Sequence, residues 1–165
     1  MRGTVLVLAA LVLFLAAGCA SPERSKIKVL PHYLDDQGRH TLSPDLFQRD
    51  AYQEYLFQNP EVVSTVRYDA FWGAFASKQG PDTVRLDLRG TRNGEPTDHS
   101  IEAAVADNRR GRKWVGVTVS PEDYAGIGRV VAWRLVASKD GQEVETARSF
   151  LWPEGAAFAQ PEDVR

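Results

Sequence analysis

Residues 129–152 read RVVAWRLVASKDGQEVETARSFLW and contain the clearest structural signal in the chain. Two stretches that alternate apolar and polar residues, 129–138 and 142–152, flank Lys139-Asp140-Gly141. Asp-Gly between two such stretches is a strong signal for a β-hairpin, because both residues tolerate the positive φ angles of a tight turn. The sequence therefore predicts two antiparallel strands joined by this turn, the second of which ends at Pro153.

The alternation of apolar and polar residues extends toward the N-terminus. In 82–89, apolar residues separated by charged ones predict a strand that packs one face on a core and exposes the other. A short strand from Lys26 is predicted to end at Pro31. Asn93-Gly94 is a further turn signal. The remaining predicted strands are 62–76, 99–105, whose alanine content leaves a helix open, and 113–120.

One segment, 44–59, predicts a helix. Ser43 can cap its N-terminus, and Pro44 suits the first helical position. Pro60 ends it. Inserted before the second strand, this helix could cover an open end or edge of the sheet structure. Ser120-Pro121 predicts a further single helical turn. Apolar residues at helical spacing give the segment 44–59 an apolar stripe: Leu46, Phe47, Ala51, Tyr55 and Leu56.

About seven strands, with turns every 8 to 12 residues or so, predict a mainly β, antiparallel fold. The arrangement resembles an immunoglobulin-like or fibronectin type III-like β-sandwich, with the helix inserted between the first two strands. Trp72 and Trp133 lie within apolar strands and are candidates for the buried tryptophan of such a core. The chain has one cysteine, Cys19, so no disulfide can form within it.

The first 18 residues form a different kind of segment. Arg2 precedes the apolar run Val5–Ala17, and small residues follow. This is the layout of a secretory signal peptide, predicted over 1–18. The run is short for a membrane span, which needs about 20 apolar residues.

The stretch Leu15-Ala16-Ala17-Gly18-Cys19 resembles the lipobox of bacterial lipoproteins. The resemblance implies that the Cys19 thiol receives a diacylglyceryl group, that cleavage precedes Cys19 and that the new amino terminus is acylated. Because Ala20 is not aspartate, it also implies sorting to the outer membrane, facing the periplasm. Several acyl chains are enough for stable anchoring. The expected organisation is a lipidated tether over 19–25, a β-sandwich domain over 26–153 and a disordered tail over 154–165.

Composition and motifs exclude several function classes. The net charge of −2, from 20 basic and 22 acidic residues, lacks the basic excess of a nucleic-acid binder. His32, His40 and His99 are not at zinc-ligand spacing, and no motif of a nucleophilic or metal-dependent enzyme occurs. His32 and His40 flank two aspartates in a predicted loop, where surface residues are the simpler interpretation. We therefore expect no metal, no cofactor and no catalytic residue.

Two groups of residues are candidates for binding. Trp114 and Trp152 lie at predicted strand ends, where exposed aromatic side chains could contact a glycan. Arg109, Arg110 and Arg112 belong to the basic turn RRGRK, which could contact anionic lipid headgroups or an acidic partner.

Together these patterns predict a lipid-anchored envelope lipoprotein that acts as a non-catalytic binding or assembly module. Its partners would be the membrane, through the anchor, and an envelope protein or glycan that the sequence does not identify. Two alternatives remain open: a carbohydrate- or peptidoglycan-binding module, and a small hydrolase without a recognisable motif.

Overall fold

A computed structural model describes residues 27–72, 80–105 and 114–153. Within these ranges, no helix combines the length and the apolar character needed to cross a bilayer. A short 3-10 turn, Pro60–Val62, precedes the second strand. The described strands and helices are β1 (Ile27–Asp35), α1 (Leu46–Gln58), β2 (Val63–Trp72), β3 (Thr83–Arg92), β4 (Glu95–Ala104), β5 (Trp114–Thr118), α2 (Pro121–Ile127), β6 (Arg129–Lys139) and β7 (Gln142–Arg148).

The strands form two antiparallel sheets, with the orders β1-β2-β5 and β4-β3-β6-β7. In immunoglobulin nomenclature these are the A-B-E and C′-C-F-G sheets, with the fourth strand paired to the third. The predicted seven-stranded, immunoglobulin-like sandwich is therefore confirmed. The helix α1 lies between the first two strands in the chain, as the sequence predicts.

The core lies between the two sheets and follows the alternation seen in the sequence. Val84, Leu86 and Leu88 on β3 have no exposed surface, because their side chains point toward the opposite sheet. Tyr68 on β2 meets Trp133 on β6 edge to face, with ring centroids 5.9 Å apart, so this aromatic contact joins the two sheets. The two predicted core tryptophans are both found inside, Trp72 buried and Trp133 half-buried.

Both predicted hairpin turns are confirmed. Asp140 and Gly141 join β6 to β7 with φ angles of 50° and 76°. Asn93 and Gly94 join β3 to β4 with φ angles of 54° and 84°. These positive values at both central residues are the conformation for which Asn-Gly and Asp-Gly are selected.

Two predicted strand ends are wrong, and a third predicted strand is confirmed with an earlier start. β1 continues through Pro31 to Asp35. Because β1 is an edge strand, a proline fits at a position whose backbone N–H would point away from the partner strand and would make no ladder hydrogen bond. The strand predicted over 99–105 is confirmed as part of β4, which begins earlier, at Glu95, and ends at Ala104, so the helix left open there does not form. β7 ends at Arg148, and the residues that follow form a turn.

Helix α1 starts two residues later than predicted, and its apolar stripe faces outward. Asp45, rather than Ser43, caps the helix by accepting a hydrogen bond from the Gln48 amide at 3.0 Å. Of the apolar residues in the stripe, only Leu56 is buried. The apolar stripe predicted from this spacing is therefore present, but most of it does not pack into the core.

A polar side chain attaches α1 to the sheet instead. Gln53 accepts a hydrogen bond from the Tyr33 amide at 2.8 Å and donates to the Tyr33 carbonyl at 3.0 Å. It also donates to the His40 carbonyl at 2.7 Å. The side-chain amide thus occupies the outer edge of β1 as the backbone of another strand would. This confirms the prediction that the helix covers an edge, which protects the strand from pairing with another chain.

The two ends of the sandwich differ. At one end, here called the Ile27 end, β1 begins, β2 finishes and β5 begins, because Ile27 pairs with Trp72 and Phe71 pairs with Trp114. Helix α2 closes the opposite end by packing against β2, β3 and β4. The Ser120 side chain caps α2 by accepting from the Asp123 amide. The helical turn predicted there is therefore confirmed.

Candidate functional site

The solvent-facing side of the three-stranded sheet, here called the outer face, is built from residues that alternate with the core residues. On β2, Tyr68 and Ala70 point inward, so their neighbours point outward. Strand pairing arranges the outward side chains in three rows across the sheet. From the Ile27 end these rows are Lys28–Phe71–Trp114, Leu30–Asp69–Gly116 and His32–Arg67–Thr118.

The first row is aromatic and exposed. The rings of Phe71 and Trp114 lie in contact, with centroids 4.9 Å apart. Trp114 is 51% exposed, and Lys28 beside Phe71 is exposed as well. Cross-strand aromatic pairs stabilise a sheet, but a half-exposed indole next to an exposed ammonium also offers an amphipathic surface to a ligand.

The second and third rows form a polar network. Arg67 Nη2 donates to Asp69 Oδ2 at 3.0 Å, and His32 Nε2 lies 3.4 Å from the same oxygen. A Cβ atom at position 116 would lie 3.0 Å from Asp69 Oδ1, so Gly116 leaves room for this carboxylate. Arg67 Nε is buried and has no hydrogen-bond partner in the described part of the chain. The network therefore keeps one donor unused.

Two histidines extend this network toward α1. The rings of His32 and His40 are 5.1 Å apart. Burial lowers the pKa of His32, and the neighbouring Asp69 only partly offsets it. Burial and the Arg67 charge lower the pKa of His40 in the same direction. Both imidazoles are thus neutral at neutral pH, where each can donate one hydrogen bond and accept another.

A groove of about 500 Å³ separates β1 from α1 beside this network. His32 lines it on the strand side, and Asp50 and Glu54 line it on the helix side. Within the described ranges, neither histidine receives a hydrogen bond from a hydroxyl or thiol group, and no cluster of three metal-ligating side chains occurs. The groove therefore has polar groups for binding but lacks an assembled nucleophile and base.

A second surface lies on the outward side of α1. Phe47 is 82% exposed, and other apolar side chains on α1 or just before it are exposed too: Leu42, Leu46 and Tyr55. The exposed charged residues of α1 and of the segments that flank it are mainly acidic: Asp36, Asp45, Asp50, Glu54 and Glu61. Two arginines in this region already face carboxylates, Arg39 at 2.9 Å from Asp35 and Arg49 at 3.9 Å from Asp50. The α1 face is therefore both apolar and acidic.

The predicted binding residues have different outcomes. Trp114 is exposed on the outer face. Trp152 is only 4% exposed, so the expectation of an exposed side chain there is wrong. Its ring lies against the guanidinium groups of Arg89 and Arg134, at 4.8 and 5.1 Å from the ring centroid.

Several predicted site residues lie outside the described residues: Cys19, Arg109, Arg110 and Arg112. The sequence prediction also missed functional candidates that the structure brings together. Three of these candidates lie on β2 and alternate with core residues such as Tyr68 and Ala70: Arg67, Asp69 and Phe71. Because successive side chains of a strand point to opposite faces, the same alternation places these three on the outward face. Their proximity to His32 depends on strand pairing, which no local pattern gives.

Compared with known proteins, the chain matches no family model. No curated protein sequence and no solved structure is similar enough to it to count as a match.

Proposed function

We propose that the chain is a lipid-anchored envelope lipoprotein whose sandwich domain binds a protein partner through the α1 face. The anchor would be Cys19, on the lipobox resemblance of residues 15–19. The observation that supports the binding role is the exposed apolar surface around Phe47 on a helix that the sheet does not need for its core. Contiguous exposed apolar surface with a polar rim is typical of interaction sites.

The charge of the α1 face indicates the chemistry of the partner. Asp45, Asp50 and Glu54 are exposed at and along the helix, whereas its one basic residue, Arg49, lies 3.9 Å from Asp50. An acidic apolar face is repelled by anionic lipid headgroups and complements a protein segment that carries basic and apolar side chains. The proposed partner is therefore an envelope protein with a cationic, amphipathic segment.

A photo-crosslinking amino acid at position 47 tests the binding role in intact cells. We expect a discrete adduct from position 47 and none from position 150, where a fully exposed phenylalanine stands. Charge reversal with Asp50→Lys and Glu54→Lys should abolish the adduct, because the altered face would repel a basic partner. The helix should stay in place, since Gln53 and Leu56 still attach it. An adduct that survives charge reversal, or forms equally from position 150, contradicts the proposal.

The anchor has a separate test. Cys19→Ser should leave an uncleaved precursor or release the protein from the lipid fraction, while Cys19→Ser and wild type should unfold alike, because residue 19 precedes the sandwich. Normal maturation and membrane fractionation of the variant would contradict lipid attachment at Cys19.

A second candidate, a carbohydrate- or peptidoglycan-binding module, is favoured by one observation. Trp114 is half exposed and lies one row from Asp69 and Gly116, and sugars stack on aromatic rings beside hydrogen-bonding groups. The hydrogen bond that Asp69 accepts from Arg67 and its contact with His32 use part of that capacity, which ranks this role second. Co-sedimentation with purified peptidoglycan, lost in Trp114→Ala, is the result that would support it.

A further inference from the structure

We propose that the row Lys28–Phe71–Trp114 is a second membrane contact, which docks the Ile27 end of the sandwich on the surface of the bilayer that holds Cys19. This inference rests on the proposed lipid anchor and deepens it. The anchor alone would leave the domain free to rotate on its tether, whereas a second contact would fix its orientation.

The length of the tether limits how far this row can lie from the membrane. β1 begins at Ile27, eight positions after Cys19 in the sequence. A fully extended chain spans at most ~3.3–3.6 Å per residue, so the Cα of Ile27 stays within about 29 Å of the Cα of Cys19. Lys28 directly follows Ile27 and is paired with Phe71, which is paired with Trp114. The row is therefore the part of the outer face that is closest along the sheet to the anchor.

The chemistry of the row suits a lipid headgroup region. Tryptophan is enriched at membrane–water interfaces, because its ring is apolar and its N–H can remain hydrated. Trp114 is 51% exposed, whereas Trp72 and Trp152 are buried and Trp133 is half-buried against the core. The exposed Lys28 ammonium beside Phe71 adds an attraction to lipid phosphates. Aromatic and basic groups thus meet at one edge of the sheet.

The rest of the described surface indicates which part of the domain would face away from the membrane. The acidic residues of the α1 face, Asp50 and Glu54, would be repelled by anionic lipids. The second row of the outer face contains Asp69, already held by Arg67. The lipid contact is therefore confined to the first row, and the α1 face stays available to a protein partner.

Fluorescence quenching by brominated lipids tests this contact directly. The full lipidated protein is reconstituted into vesicles of phosphatidylethanolamine and phosphatidylglycerol that carry bromine at defined depths. Because the other three tryptophans are shielded within the sandwich, we expect quenching that is strongest for bromines near the headgroups and that is mostly lost in Trp114→Phe. The control Trp133→Phe should keep the quenching, and Lys28→Glu should weaken it.

Flotation of the same vesicles separates the two proposals. Protein that fails to float contradicts the lipid anchor. Protein that floats but shows no quenching, or equal quenching in Trp114→Phe, contradicts the second contact while the anchor stands. If solubilised peptidoglycan fragments shift the Trp114 emission and brominated lipids do not, the row is a glycan-binding surface and the membrane contact is wrong.

Discussion

Arg134 donates two hydrogen bonds to a single oxygen of Asp87, a carboxylate with no exposed surface. The two nitrogen–oxygen distances are 3.0 and 2.7 Å. Ser100 and Arg85 approach the other oxygen at 2.8 and 3.2 Å. Because these groups come from three neighbouring strands, Asp87 connects β4, β3 and β6 on the side of the larger sheet that faces away from the core.

Replacing Asp87 should therefore destabilise the fold strongly. Asp87→Ala leaves the Arg134 guanidinium without its carboxylate in a largely buried place, which we expect to lower the free energy of unfolding by about 3–5 kcal/mol. Chemical denaturation measures this. Asp98→Ala is the matched control, because Asp98 is 43% exposed and faces Arg89 at 3.3 Å, and such pairs contribute about 0–1 kcal/mol. Equal losses in the two variants would contradict the buried network.

Two tryptophans that look alike in the sequence should respond differently to truncation. Trp152→Ala removes a buried ring from between Arg89 and Arg134, and loss of a buried aromatic typically costs about 3–5 kcal/mol. Trp114→Ala removes a ring that is half exposed, so its free energy of unfolding should fall by much less. Thermal or chemical unfolding of the two variants checks the difference, and a larger loss in Trp114→Ala would be the contrary result.

The Gln53 side chain should contribute to the stability of the fold and keep the edge of β1 from pairing with another chain. Gln53→Ala leaves the Tyr33 amide and carbonyl without the partners they have now, and an unsatisfied group of this kind costs about 1–3 kcal/mol. It also uncovers the edge of β1, so self-association should rise in sedimentation measurements. Gln58→Ala is the control, since the Gln58 side chain is exposed and its hydrogen bond goes to Glu54 within the same helix. Unchanged stability and a monomer in both variants would count against the edge-covering role.

Stability should fall in acid partly through Asp35. Burial raises the pKa of Asp35, but hydrogen bonds from the Arg39 backbone and side chain, the Tyr52 hydroxyl and the Gln37 amide outweigh it and hold the pKa to about 2. A carboxyl with a lowered folded-state pKa stabilises the fold above its unfolded-state value of 3.8. This contribution is lost as the pH falls from about 5 toward 2.

The variant Asp35→Asn isolates that contribution. It should be less stable than wild type at neutral pH, and the difference should shrink as the pH falls through this range, because wild-type Asp35 becomes protonated. Denaturant unfolding at a series of pH values gives the two curves. A constant difference between them would mean that the ionisation of Asp35 does not contribute.

The strands could be predicted because their signals are local. Alternation in 82–89 and the turns at Asn93-Gly94 and Asp140-Gly141 reflect the two-residue period of a strand and the φ angles of a hairpin. The burial of Trp152 could not be predicted, because Arg89 on β3 and Arg134 on β6 reach its ring, which lies in the turn after β7. The stripe containing Phe47 was detected at the right spacing, but periodicity marks a face and does not say what covers it.

The candidate site was predicted only in part for the same reason. Exposure of Trp114 follows from its position at a strand end, whereas the contact of His32 with Asp69 requires the register between β1 and β2. Which side of α1 is exposed depends on Gln53, because its hydrogen bonds hold the opposite side of the helix against the edge of β1. A hydrophobicity pattern does not show that a polar residue has this role. Contacts between residues that are far apart in the chain therefore determine which of these side chains come together, and local sequence patterns do not show such contacts.

Helix α1 is attached to the sandwich through a few side chains, chiefly the hydrogen bonds of Gln53 and Tyr52, the ring contacts of Phe57 and the buried Leu56. This attachment also has a dynamic consequence. A helix held by so few contacts can detach in a sub-global opening that costs less free energy than unfolding the sandwich, because the core between the sheets stays intact. Backbone amides of α1 should then exchange with solvent hydrogen well before those of β3 and β6. A partner that binds the α1 face would slow this exchange, so the exchange rate of the α1 amides would show whether the face is bound.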